Sequence, residues 1–187
     1  MPTRPKFVAG SYYHVYNRGN NREAVFFETE NYSFFIRQLR RYLTDQGTDI
    51  VAYCLMPNHF HLLLKLSNDE LSAQMHDLIV SYTKAINKRF ARSGALFQGK
   101  FQAIVVERDE YLLHLSRYIH LNPVKAALTA RPEDWMFSSY REYLGLRAGT
   151  LPKPEIVMAQ FPSPDDYKRF VEYDGPSAVD VSHLMLD

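Results

Sequence analysis

A chain of 187 residues, 46% apolar and 14% aromatic, can bury one substantial core and is too short for two domains of ordinary size. Its single cysteine, Cys54, excludes an intramolecular disulfide and a cysteine-rich zinc site, and suits a reducing cytoplasm. The formal net charge of +1 hides a strong segregation along the chain. Residues 1–22 carry Arg4, Lys6, Arg18 and Arg22 without an acid, and residues 78–106 carry Lys84, Lys88, Arg89, Arg92 and Lys100 without an acid. From Pro154 onward, seven acids face only Lys168 and Arg169. No membrane-spanning or signal segment is expected, because the apolar stretch from Ile50 to Leu66 is interrupted by Pro57, Asn58, His59, His61 and Lys65.

In chain order, Tyr12 to Arg18 alternates aromatic and polar residues and stops at Gly19, the pattern of a strand ending in a turn. Phe35, Leu39 and Leu43 recur at four-residue spacing and predict a helix from about Glu30 to Gln46, with Gly47 as its stop. Asp49 to Met56 and His59 to Leu66 predict adjacent antiparallel strands joined by Pro57-Asn58. A second helix, about Glu70 to Arg92, carries an apolar stripe of Leu71, Met75, Ile79, Tyr82, Ile86 and Phe90. Gly99 to Val106 predicts a fourth strand, and Glu110 to Leu121 a third helix that ends where Asn122 meets Pro123, since a residue before proline disfavours the helical region. The order β-α-β-β-α-β plus a helix is the split βαβ arrangement of ferredoxin-like α+β domains, with an antiparallel sheet. We divide the chain into a main domain, residues 1–148, and an acidic C-terminal tail, residues 149–187, with a helical segment around Ser163 to Tyr173.

His59-Phe60-His61 lies on a predicted strand, so both imidazoles point to one face while Phe60 points to the other. By itself this pattern fits a pair of hydrogen-bonded structural histidines at least as well as a metal site. On the third helix, Tyr118 and Asn122 are four residues apart and share a face. Alone, they fit a packed tyrosine and a capping asparagine. Together with the two histidines they offer a His, His, Asn set for a divalent cation with a phenol beside it. A cation polarising a phosphodiester and a tyrosine attacking it would conserve the bond energy as a phosphotyrosine ester, so that DNA could be rejoined.

These residues lie in motifs that resemble a known family. MPNHFHLLL and RYIHLNPVKAAL are similar to the HUH single-tyrosine transposases, and specifically to the REP-associated tyrosine transposase branch; YYHVYNRGNNREAVFF, SYTKAINKRFARSGALFQGKF and WMFSSYREYLG extend the resemblance over roughly residues 8–145. The resemblance implies a ferredoxin-like HUH fold, His59, His61 and Asn122 as metal ligands, Tyr118 as nucleophile, and Mg²⁺ or Mn²⁺ as cofactor. It also implies single-stranded DNA hairpins as partners and a monomer using its own tyrosine, with a homodimer as the alternative; the expected location is the cytoplasm, at the nucleoid. Lys100 stands where arginine is common in this pattern, and a lysine does not reproduce a bidentate phosphate contact.

For DNA contacts we select Arg18, Arg22, Lys84, Lys88, Arg89, Arg92 and Lys100, with Tyr12, Tyr13, Tyr16, Tyr82, Phe90, Phe97 and Phe101 as candidate stacking platforms. The competing reading of each basic segment is a solvated helix face. His114, one turn before Tyr118, is a candidate accessory base or metal support, with ordinary packing as its alternative; His120 points away and is assigned to structure. Tyr82 is a competing nucleophile on an apolar stripe. Two other functions use the same fold: a transposase that moves its own element, and a hairpin-binding regulator without cleavage. An RNA-binding module is disfavoured, because the paired aromatic strand motifs it needs are missing.

Overall fold

A computed structural model describes residues 6–173 and 179–184. Alternation in the strand sequences builds a sheet with two buried faces. The four strands are β1 (Tyr12–Arg18), β2 (Asp49–Met56), β3 (His59–Lys65) and β4 (Gln102–Val106), in the order β2-β3-β1-β4 with every pair antiparallel. This is the expected ferredoxin-like arrangement.

Odd and even positions of each strand feed different cores. On one face, Val15, Phe60 and Leu62 pack against α1 (Thr29–Tyr42) and α2 (Leu71–Arg89), which contribute Phe35, Leu39, Met75 and Tyr82. On the other, Val51, Cys54 and Leu63 meet Leu115 and Ile119 of α3 (Asp109–Lys125). Each of these large apolar side chains stabilises the fold by roughly 1.5–3 kcal/mol through burial.

Three expectations are corrected. The first helix stops at Tyr42, and a separate 3₁₀ turn, Thr44–Gln46, leads to Gly47 at φ 88°. The fourth strand starts at Gln102 rather than Gly99, after a loop whose Gln98 N–H bonds the Arg18 carbonyl. The third helix does not end at Asn122: it passes through Pro123 to Lys125. Its end is closed by the Ala126 N–H on the Asn122 carbonyl and the Leu128 N–H on the Pro123 carbonyl, with Ala127 left-handed. Those bonds offset the helix penalty of a residue before proline.

The segment after α3 returns across its outer side. It contains the short helices α4 (Tyr140–Tyr143) and α5 (Glu155–Met158), and then α6 (Pro164–Glu172). Tyr140, Tyr143, Val157, Tyr167 and Val171 are all buried in the same core as Leu115 and Ile119. Arg117 of α3 donates to the carbonyls of Phe170, Val171 and Tyr173, which neutralises the exposed end of α6. No helix among the described residues is long and apolar enough to cross a membrane.

His120 is fully buried at this junction. Its Nδ1 lies 2.7 Å from the Tyr167 hydroxyl, and its Nε2 2.8 Å from Ser139 Oγ. Burial pushes its pKa down to about 3. The unfolded chain therefore binds the proton more readily, so the contribution of neutral His120 is complete above about pH 6.5 and falls as pH drops from there towards the folded value. The expected slope is about 1.4 kcal/mol per pH unit from this proton. Melting temperature followed from pH 7 to pH 4 should fall less steeply for His120→Gln than for the wild type; parallel curves would remove the assignment.

Candidate active site

The β3 histidines lie on the α3 side of the sheet because Phe60 between them is committed to the other core. His61 is fully buried and His59 is partly exposed. Their rings are 5.0 Å apart and nearly perpendicular, and the Tyr118 ring of α3 is 5.4 Å from that of His61. Asn122 Nδ2 donates to the Tyr118 carbonyl at 3.0 Å, which turns the carboxamide oxygen of Asn122 away from the helix. Asn122 raises the proton affinity of both imidazoles. Even so, His61 Nε2 meets no partner at hydrogen-bonding geometry.

Burial is the larger effect on both rings. It lowers the pKa of His59 and holds that of His61 well below the usual imidazole range, so both are neutral near pH 7. His59 Nδ1 lies 2.7 Å from Asn58 Oδ1, and Asn58 Nδ2 donates to the Arg22 carbonyl at 3.1 Å. The carboxamide orientation makes Asn58 the acceptor, so His59 carries its proton on Nδ1 and presents the lone pair of Nε2. A buried unpaired Nε2 on one ring, a lone pair on the other and a carboxamide oxygen nearby fit a divalent cation. Among the described residues, no group of three or more His, Cys, Asp or Glu forms a cation site.

The other candidates divide by position. Arg18 is the Cα partner of His59 across the sheet, and its Nε donates to Gln98 Oε1 at 2.6 Å. Arg22 is exposed in the turn after β1. That turn requires glycine at its start, because a Cβ on Gly19 would lie 2.0 Å from the Glu23 carbonyl oxygen. Bonds from Gly19 N to the Asn58 carbonyl and from Asn20 N to the Leu96 carbonyl hold this turn and the loop before β4 at the His59 end of the sheet. Lys100 is exposed on that loop. Arg89 is paired with Glu28 at 3.1 Å and Arg92 with Glu23 at 3.8 Å. Lys84 and Lys88 are exposed on α2, in the layer across the sheet from Tyr118.

His114 and Tyr118 both line a cleft of about 300 Å³ with Arg117, Lys125 and residues 179–182. The His114 ring lies against Phe170 at 5.2 Å. Tyr82 is buried in the opposite core, where its hydroxyl donates to the Val25 carbonyl. Tyr13, Tyr82, Phe97 and Phe101, expected as stacking platforms, are buried in that same core instead. An aromatic beside a basic residue serves packing when it falls on the inward phase of its element.

The sequence places His14 on the first strand, lining the sheet face beside the site or buried against a helix, without naming its partner; Lys125 escapes the sequence reading. His14 of β1 is fully buried, with Nε2 3.0 Å from His61 Nδ1. Lys125 Nζ sits 5.2 Å from the Tyr118 ring centroid. A signal for Lys125 exists in its place seven residues after Tyr118, two turns along the same helix face.

Residues 7–122 match the family profile described as Transposase IS200 like, a span that begins before β1 and ends on Asn122. The chain belongs to the IS200-like transposase family. Within reach of this family membership, it is 27% identical over 103 residues to a Haemophilus influenzae protein assigned as a REP-associated tyrosine transposase. That match covers 49% of this chain and 58% of the relative, so the chain spans a little over half the length of that curated relative. A solved structure of a REP-associated tyrosine transposase bound to a REP hairpin superposes with a TM-score of 0.66 at 21% identity, covering 82% of this chain and 94% of that one. The likeness extends the fold assignment beyond the family span into the segment after α3.

Proposed function

We propose that this IS200-like family member is a single-tyrosine DNA strand transferase that cuts and rejoins single-stranded DNA beside a hairpin. The observation that carries this reading is the Tyr118 ring 5.4 Å from a buried His61 whose Nε2 is unpartnered. The hairpin substrate rests on the REP-associated relatives, one of which is solved with a REP hairpin bound. The main domain, residues 1–148, carries every residue of the reaction.

His59, His61 and Asn122 would hold Mg²⁺ or Mn²⁺, which when bound withdraws charge from a non-bridging oxygen of the scissile phosphate. Tyr118 Oη attacks phosphorus, the bond from phosphorus to the 3′-oxygen breaks, and the phenol proton ends on that oxygen. The products are a 5′-phosphotyrosine ester and a free 3′-hydroxyl. Attack by another 3′-hydroxyl reverses the step and joins a new strand. His114 borders the cleft from the α6 side as an accessory group. The chain acts as a monomer with its own tyrosine, in the cytoplasm at the nucleoid.

The DNA backbone is held by Arg18, Arg22 and Lys100 around the His59 end of the sheet, with Arg89 and Arg92 nearby and Lys84 and Lys88 further out on α2. Arg22→Gln should weaken binding of single-stranded DNA of any sequence and reduce the slope of log affinity against log salt by about one. An unchanged slope would take Arg22 out of the contact surface.

The deciding experiment incubates the protein with end-labelled single-stranded DNA containing hairpin repeats, with and without Mn²⁺, and runs the products on a denaturing gel. A DNA-linked protein band that disappears with EDTA supports the transferase. Cut DNA without a linked band would instead mean hydrolysis by water. Tight hairpin binding with neither product, across metals and substrates, would mean a regulator.

A further inference from the structure

We infer that His14 is a positioning residue that holds His61 in the tautomer able to ligate a cation, an inference that rests on the metal assignment proposed above. The register sets up the contact. Tyr16 is the Cα partner of His61 and His14 that of Leu63, so His14 and His61 are diagonal neighbours on the α3 face of the sheet. Both are fully buried, and His14 Nε2 lies 3.0 Å from His61 Nδ1 with the rings near parallel at 21°.

Two neutral imidazoles in such contact share one proton, and the arrangement is one of two. If His14 donates, His61 Nδ1 is the acceptor, its proton is on Nε2, and that buried atom becomes an N–H with no acceptor at hydrogen-bonding geometry. If His61 donates from Nδ1, His14 Nε2 accepts and the unpaired atom of His61 is a lone pair. The second arrangement is cheaper in a buried site, since an orphaned N–H is rarer than an orphaned acceptor, and it is the ligating form. Asn58 imposes the same state on His59 through its oxygen at 2.7 Å. Each histidine of the pair thus has an acceptor behind it, one from the turn before β3 and one from β1. An imidazole held from behind in this way keeps both its ring orientation and its basicity.

The test compares wild type, His14→Leu and His14→Gln, the last retaining an acceptor oxygen. Histidine-selective ¹⁵N NMR of the metal-free proteins reads the tautomer of His61, and Mn²⁺ titration followed by electron paramagnetic resonance reads affinity. The expected result is an Nδ1–H His61 in wild type and a move to Nε2–H in His14→Leu. Mn²⁺ binding should weaken about 10- to 100-fold in that variant, with His14→Gln restoring both readouts. Thermal unfolding identifies a variant that merely fails to fold, and in that event the wild-type tautomer and the His14→Gln variant carry the test. An Nε2–H His61 in wild type, or a folded His14→Leu that keeps the wild-type tautomer and affinity, overturns the inference. A wild-type chain with the expected tautomer and no Mn²⁺ uptake overturns the metal assignment, and with it the purpose given to His14.

Discussion

Tyr118→Phe should abolish the DNA-linked band, at least about a thousandfold below wild type, while leaving the fold and hairpin affinity intact. The substitution removes one hydroxyl from a side chain that is 8% exposed and keeps the ring that packs beside His14 and His61. On the proposed mechanism the loss is large because a nucleophile has no partial substitute: the remaining residues would bind the phosphate but could not form the ester. Tyr16 is the control that gives the experiment its edge. Its ring is 6.2 Å from that of His61 on the same sheet face, so it is the other tyrosine near the site. A band that survives in Tyr118→Phe and vanishes in Tyr16→Phe would move the nucleophile from α3 to β1.

Tyr167→Ala should cost about 3–5 kcal/mol of stability, which for a chain of this length lowers the melting temperature by roughly 10 °C. Tyr167 has no exposed surface, and it packs against Tyr143, Phe161 and Tyr140. Its hydroxyl meets both His120 Nδ1 and Ser116 Oγ, at 2.7 and 3.0 Å. The alanine variant therefore leaves a cavity and strips one of the two hydroxyl partners from the buried imidazole of His120. Tyr167→Phe separates the two effects and should cost only about 1–3 kcal/mol. Chemical denaturation of the three proteins measures both, and a loss below about 1 kcal/mol for Tyr167→Ala would mean that α6 is not integral to this core. For the same reason charge reversal on α6, rather than removal of residues 150–187, is the sound way to ask whether its acidity affects DNA binding: deletion would also expose Leu115 and Ile119.

The sheet and both layers are legible in the sequence because alternation and four-residue spacing are local signals. His59, Phe60 and His61 declare their faces within three residues, and Tyr118 and Asn122 declare theirs within one helical turn. What escapes is contact between distant positions. Nothing near His14 marks it as the partner of a histidine 47 positions later; only the strand register brings them together. The return of α6 onto α3 is hidden differently, because the acids of residues 155–172 dominate a stretch whose Tyr167, Phe170 and Val171 still fall on one helical face. Pro123 misleads in the opposite direction: its local preference to end a helix is real, and the hydrogen bonds that close the turn around it lie outside any window that the preference describes.

The embedding of α3 also bears on mechanical load. A DNA end esterified to Tyr118 would pull on a helix whose inner side is locked to the sheet through Leu115 and Ile119, and whose outer side is clamped by Arg117 to the carbonyls of residues 170, 171 and 173. Tension on that strand would be shared between two layers and not borne by a hinged arm. On the proposed mechanism, an end held on such a mount would keep its position under force while the second strand is found.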